Sequence, residues 1–317
     1  FIFFEKLNIY WFFIISILNF IVFTLLFIKY INYYVVFISF EKYKNIFNDF
    51  YKYLRPLISF TLIAGLFSYL GKYVLQFSSG SIEQGYYNFA FQLAMIPVTF
   101  ISSFMAIYLS EMSRKFKEND LESVKNIFTS NVFKIYAVHA IISLFMLVNA
   151  EEIILLTVGE KFLPATNSLK WLSIFSLLHS FGLLSSNIFF SSGRNKQYSV
   201  INSIVMISGI LYLTSLRFYG EINSTHLATV MASLYMLRVF VQLNFNLKYL
   251  SISRLKFILE FLVLSSCIYV VLKIISLLVF NLFINFILAL ICLAIINFIF
   301  KDYVKLSLII KKIKWVQ

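Results

Sequence analysis

Residues 11–28 read WFFIISILNFIVFTLLFI, a run interrupted only by Ser16, Asn19 and Thr24. As an α-helix it is about 27 Å long, close to the hydrocarbon thickness of a bilayer, and its apolar side chains point to every side. Residues 282–300, LFINFILALICLAIINFIF, repeat the pattern. A transmembrane β-barrel alternates apolar and polar positions over about ten residues, and neither run does. The whole chain has 317 residues, 61% hydrophobic and 19% aromatic, with 13% charged where soluble domains carry about 25%. No compact soluble protein buries that much apolar surface, so the composition excludes a soluble globule and predicts an all-α polytopic membrane protein.

Apolar runs near 20 residues, separated by charged or turn-forming clusters, predict nine spans: 10–39, 57–78, 86–109, 132–150, 169–190, 198–216, 226–247, 257–277 and 282–300. The first is long enough for a tilted helix that runs on past the membrane. The chain opens Phe1-Ile2-Phe3-Phe4, without Met or a basic n-region, which predicts a C-terminal fragment and not a signal peptide. Its two cysteines, Cys267 and Cys292, both lie in apolar runs and offer neither a disulfide framework nor a thiolate metal site. Ser110–Asn131 reads as a charged amphipathic connector, and Ile153–Val158 as a short apolar piece lying in the membrane interface. Neither can house a catalytic domain, so function is expected among the helices.

A net charge of +13 would suggest nucleic acid in a soluble protein; here its distribution follows the positive-inside rule instead. The connectors after spans one, three, five, seven and nine carry 18 Lys and Arg, against 4 (Lys6, Lys161, Arg217, Lys273) on or near the other side. The 18-cation side and the C-terminus are therefore expected to be cytoplasmic. The first span then runs inward, which requires an odd number of upstream spans if the native N-terminus is cytoplasmic too. Tyr86, Tyr87 and Trp171 are expected in the outer aromatic belt, Tyr43 and Trp315 in the inner one.

Two spans carry polar stripes. At 100° per residue, Thr61, Gly65, Ser68, Lys72, Gln76 and Ser79 fall within an arc of about 80°. Small residues there permit helix packing with Lys72 snorkelling outward, or the stripe walls a water-filled cavity that receives the cation. Recurrence on the next span favours the wall: Asn88, Gln92, Thr99, Ser103 and Ser110 share an arc of about 60°. Pro97 lies about 140° from Gln92 and is expected to bend that helix. The Ser173, Ser176, Ser180, Asn187 stripe reads as close packing. Arg238, inside the seventh span, requires a partner. His139 and His179 have no Asp, Glu or Cys at ligand spacing, so core roles are expected and a metal site is not. Only Glu260 falls inside a span, one turn from its end, so paired acids and proton relays have no visible residues. Binding and movement are expected, and no enzymatic activity.

The order of segments resembles the multidrug/oligosaccharidyl-lipid/polysaccharide flippase superfamily, and within it the polysaccharide exporters of the O-antigen translocase type. Arg55-Pro56 resembles the basic-Pro start of the family's second lobe, and Lys72 the cation of that helix's Asp-Arg-like element, with Gly71 where the acid stands. Gly85-Tyr86-Tyr87-Asn88 is similar to the Gly-x-Tyr-Ser start of the next helix, Ile96-Pro97 to its mid-helix proline, and Ser110-Glu111-Met112-Ser113-Arg114 to its exit, without the proline. Residues 159–165, GEKFLPA, resemble the outer Phe-Gly-x-x-Phe-x-x-Ala loop, and 193–196, GRNK, the inner Gly-Arg-x-Lys turn.

The resemblance covers residues 10–300 and implies a two-lobe helical-bundle transporter of fourteen helices. Residues 1–56 would be the last helix of the first lobe and an inter-lobe cytoplasmic loop, 57–250 the six-helix second lobe, and 251–317 two extra helices with a basic tail. It implies a bacterial inner-membrane carrier of undecaprenyl-diphosphate-linked oligosaccharide, working by alternating access in lipopolysaccharide or other polysaccharide biosynthesis. A polysaccharide polymerase and chain-length proteins are its implied partners, membrane lipid its surroundings, and no cofactor is implied beyond a coupling ion, H+ or Na+. A diphosphate-sugar headgroup needs cations and hydroxyl or amide groups. The expected substrate-binding residues are accordingly Lys72, Thr61, Ser68, Gln76, Asn88, Gln92, Thr99, Ser103 and Arg238. The alternatives are a cation-coupled drug antiporter of the same superfamily, which would carry intramembrane acids, and a membrane-embedded polymerase, which would carry a large outer loop.

Overall fold

The computed structural model describes residues 9–34, 40–216, 222–278 and 281–291. Their regular structure is entirely helical, and six helices are long and apolar enough to cross a membrane. The chain divides into two units, Phe1–Lys52 and Tyr53–Gln317. In the first, α1 (Ile9–Tyr34) exposes every described side chain from Ile14 to Lys29, with Phe20 73% exposed. A helix apolar on all sides has no face to turn to water.

The helix α2 (Phe40–Lys117) crosses the boundary between the units; residues 40–56, expected as a loop, are helical throughout. The second unit opens with two limbs of α2, residues 53–79 and 81–117, broken at Gly80 with φ 81° and ψ 179°. Gln84 Nε2 donates to the Lys72 carbonyl at 3.4 Å, and Lys72 Nζ stands 5.8 Å from the Phe91 ring. Nineteen residues of straight helix would hold Lys72 and Phe91 about 28 Å apart, so the chain reverses at Gly80. A one-residue reversal replaces the loop expected between the second and third spans. This backbone conformation is essentially restricted to glycine.

The remaining helices are α3 (Leu121–Val148), α4 (Ala150–Val158), a 3-10 turn (Glu160–Ala165), α5 (Thr166–Ser191), α6 (Asn195–Leu216), α7 (Ser224–Tyr249), α8 (Arg254–Leu278) and α9 (Leu282–Ile291). The connector expected over 110–131 is nearly all helix, turning only at 118–120, where Asp120 accepts from the Ser123 N–H to cap α3. α4 buries Ala150 and Ile154 and exposes Leu155, Leu156 and Val158, the half-and-half surface of an interfacial helix.

α5 and α7 form the central pair, flanked by α3 and α6. Small and polar residues let them close: Ser173, Ser176, Ser180 and Asn187 are all buried, as expected for packing serines. α8 lies on α3 through stacked rings, Phe128 on Phe257 at 5.9 Å and Phe133 on Phe261 at 4.4 Å. The first limb packs on α6 and α7, with Phe67 against Gly209 and Gly71 against Leu227. The second limb packs on α3 and α5, Tyr108 donating to the Ile127 carbonyl and Phe91 meeting Phe175.

The second unit is electrically polar. At one end Asn195 reaches the Tyr53 carbonyl, Phe116 meets Tyr249, and Lys125 reaches the Ser251 carbonyl. These contacts gather Arg114, Lys115, Lys117, Arg194, Lys196 and Lys248. At the other end Ser79 donates to the Ile222 carbonyl, Glu83 accepts from the Ser224 N–H, and Tyr86 donates to the Lys161 carbonyl, bringing the 149–166 segment with Glu151, Glu152 and Glu160. The three ion pairs among the described residues, Lys115–Glu118, Lys115–Asp120 and Lys256–Glu260, all lie at the basic end.

Candidate functional site

The first limb presents three strips. Phe67, Gly71, Val74 and Leu75 are buried against neighbouring helices. Leu62, Leu66, Tyr69, Tyr73 and Phe77 are exposed and apolar, the surface that lipid accepts. Between them Thr61, Ser68 and Gln76 are exposed, with Gly65 and Lys72 half-buried. On the second limb Ala90, Ala94, Val98, Ile101 and Met105 are buried, as is Pro97, and Gln92, Thr99 and Ser103 stand exposed on the opposite side with Asn88 half-buried.

The Lys72–Phe91 and Lys72–Gln84 contacts bring the two limbs together at Lys72, and the eight expected residues carried by the limbs lie in these two strips, here termed the polar wall. Three of its four hydroxyls donate to their own helices: Thr61 to the Leu57 carbonyl, Thr99 to that of Met95, and Ser103 to that of Thr99. Each oxygen keeps acceptor capacity, and the Gln76 and Gln92 amides keep donors as well. Lys72 is the cation of the wall, resting over Phe91, an arrangement that holds an ammonium without neutralising it. Between Arg55 and Glu111 the only carboxylate is Glu83, engaged with the Ser224 N–H at 2.7 Å.

Arg238 is not part of this wall. Its guanidinium stands 5.4 Å from the Phe60 ring and 5.0 Å from Tyr235, and donates to Tyr198 Oη at 2.9 Å. Phe60 and Lys72 are twelve residues apart on one limb, about 18 Å along its axis. That exceeds the reach of one diphosphate, so the two cations serve separate places. The partner that an intramembrane Arg requires is thus a hydroxyl and three aromatic faces. Its buried Nε has no acceptor among the described residues.

Around Arg238 lies a polar network of which helical periodicity shows one face, Arg238, Gln242 and Asn246, but not the partners on other helices. His179 Nδ1 and Tyr235 Oη are 2.7 Å apart, Gln242 donates to Asn202, and Asn246 donates to Ser185 Oγ at 2.7 Å. His139 is fully buried and hydrogen-bonded to Ser176 at 3.1 Å, the core role expected of it. The signal for the rest was the polar set Arg238, Gln242, Asn246 at i, i+4, i+8 on α7, a stripe that faces protein. Tyr87, expected in the interfacial belt, is instead 2% exposed and stacked with Phe91. Among the described residues no group of three His, Cys, Asp or Glu could hold a metal ion. Tyr43 falls where no side chain is described, and Trp315 lies outside the described residues.

No family model matches the chain, and no curated protein does. Among solved structures it is similar to a crystal structure of a MATE mutant, with a TM-score of 0.57 at 16% identity. The likeness covers 68% of this chain and 48% of that one, so the chain spans about half the length of the structure it matches. The chain is an all-α polytopic membrane protein whose fold is similar to part of that MATE structure.

Proposed function

We propose that this chain forms part of a flippase that carries undecaprenyl-diphosphate-linked oligosaccharide from the cytoplasmic to the outer leaflet by alternating access. It acts as a carrier and not as an enzyme, in the bacterial inner membrane, with its basic end and C-terminus in the cytoplasm. The observation that carries this reading is Lys72: a cation in an exposed polar wall of two helices whose residues include no carboxylate. Such a wall attracts an anionic headgroup and offers sugar hydroxyls both donors and acceptors. The transporter fold supports movement, and the motifs of an O-antigen type exporter support the substrate class. The second reading, a cation-coupled drug antiporter, is supported by the MATE neighbour, yet it calls for an acid where this wall has a lysine.

Complementation separates them. In a strain lacking the native gene, Lys72→Glu abolishes surface polysaccharide while membrane abundance stays normal. Lys72→Gln lowers it about tenfold or more, the loss of a charge-assisted contact of about 1.5–3 kcal/mol. Normal polymer from Lys72→Glu at normal abundance would refute the cavity role of this residue.

A further inference from the structure

At the basic end, the α5–α6 turn and α7 border a shallow, open cleft of about 490 Å³ lined by Arg194, Lys196, Gln197, Val200, Ile201 and Phe245. Its lining surface is almost wholly apolar, with Val200, Ile201 and Phe245 as the floor, while Arg194, Lys196 and Gln197 border its mouth at the first turn of α6. Ile204, one turn beyond Val200 and 63% exposed, continues the floor along α6.

Of the two cations at the mouth, Arg194 is anchored by its neighbours. Arg194 Nε donates to Ser192 Oγ at 2.8 Å and Nη2 to Asn246 Oδ1 at 3.1 Å. Its guanidinium lies 3.7 Å from the Tyr249 ring centre and 4.9 Å from that of Phe189. Asn246 is itself fixed by donating to the Ser185 carbonyl and hydroxyl. Three of the five guanidinium N–H groups remain uncommitted among the described residues. Between Glu160 and Glu260 the sequence has one acid, Glu221, which falls between the far ends of α6 and α7. Neither Arg194 nor Lys196 forms an ion pair among the described residues.

We propose that this cleft binds one anionic phospholipid of the surrounding bilayer, its phosphate between Arg194 and Lys196 and an acyl chain along Val200, Ile201 and Phe245. A basic mouth above an apolar floor, at the level where a helix leaves the membrane, matches a phospholipid in both charge and polarity gradient. None of the six residues belongs to the polar wall of the limbs, so the site is separate from the transported substrate. Arg194 is held before the lipid arrives, which favours retention over brief contact.

Native mass spectrometry of the purified protein titrated with phosphatidylglycerol or phosphatidylcholine tests this. One phosphatidylglycerol is expected to be retained in clear preference to phosphatidylcholine. Lys196→Gln should weaken that retention about fivefold, the share of one cation near the surface. Val200→Trp, which fills the floor and leaves the cations, should weaken it as well. Both residues are exposed, so helix content by circular dichroism should be unchanged. Equal retention of the two lipids, unchanged retention in either folded variant, or full displacement by inorganic phosphate would each overturn the proposal, the last by showing a bare anion site.

Discussion

Lys72 and Arg238 show how differently two intramembrane cations can be handled. Lys72 sits on a strip that is half-open and keeps its charge available; Arg238 is enclosed by Phe60, Tyr198 and Tyr235. Periodicity sets Lys72 on a stripe that is polar throughout, and the structure leaves that stripe partly open. It could not separate Arg238 from the wall, because helical spacing reports a face and not what that face meets. The same limit applies to glycine, and it yields a prediction. A Cβ at Gly182 would lie 2.6 Å from Tyr235 Oη, while one at Gly65 would meet nothing within 4 Å. Gly182→Ala should therefore destabilise the protein by about 1–3 kcal/mol through overpacking and disturb the His179–Tyr235 contact. Gly65→Ala should stabilise it by up to about 1 kcal/mol, the ordinary helix preference for alanine. Thermal unfolding in detergent checks both, and equal effects would mean that the packing around Gly182 is not as described.

At the scale of elements, the apolar runs predicted where most helices lie, since burial in lipid demands length and hydrophobicity that a single sequence displays. Their ends were less legible. The helices α3 and α7 continue beyond the apolar core because the charged residues of 121–131 and the Asn246–Tyr249 turn have good helical partners, and hydropathy does not register those. Gly80 was hidden for another reason: Ser78, Ser79, Gly80 and Ser81 read as a loop, and only the backbone shows a single-residue reversal. Gly80→Ala places a Cβ in a conformation costing about 1–3 kcal/mol, in open space, so the loss is purely conformational and Gly80→Asn should not fully repair it. The α3 cap gives a pH prediction. Hydrogen bonds from Ser123, with Lys115 nearby, hold the Asp120 carboxyl below its ordinary value of 3.8. The cap's contribution is then fully present above that ordinary value and is lost as pH falls through the lowered one. The melting-temperature gap between the parent and Asp120→Ala should stay constant from pH 7 to about 4 and close only in stronger acid; a gap closing near neutrality would assign it to another group.

At the scale of the molecule, the second unit joins a charge gradient to a polar wall on an all-helical membrane fold. The basic end of the second unit collects connectors distant in sequence, the 110–131, 191–197 and 248–256 segments, because a bundle of membrane-crossing helices brings alternate connectors to one side. Single cysteines check the orientation proposed from the 18 to 4 cation asymmetry. A Cys at Glu152 should react with an impermeant reagent in intact cells and one at Lys117 should not; the reverse would turn the direction of transport around. The proposed substrate class rests on the family motifs alone, since no stripe of Ser, Thr, Gln and Lys distinguishes a lipid-linked diphosphate from another anion. The most direct test is therefore transbilayer movement. Proteoliposomes would hold the protein and a fluorescent undecaprenyl-diphosphate-linked oligosaccharide, with an impermeant quencher added outside. The account predicts that quenching proceeds beyond the outer leaflet to nearly all of the lipid with the parent protein, and stops at the outer leaflet with Lys72→Glu. Quenching confined to the outer leaflet with the folded parent, or equal flipping by Lys72→Glu, would contradict it.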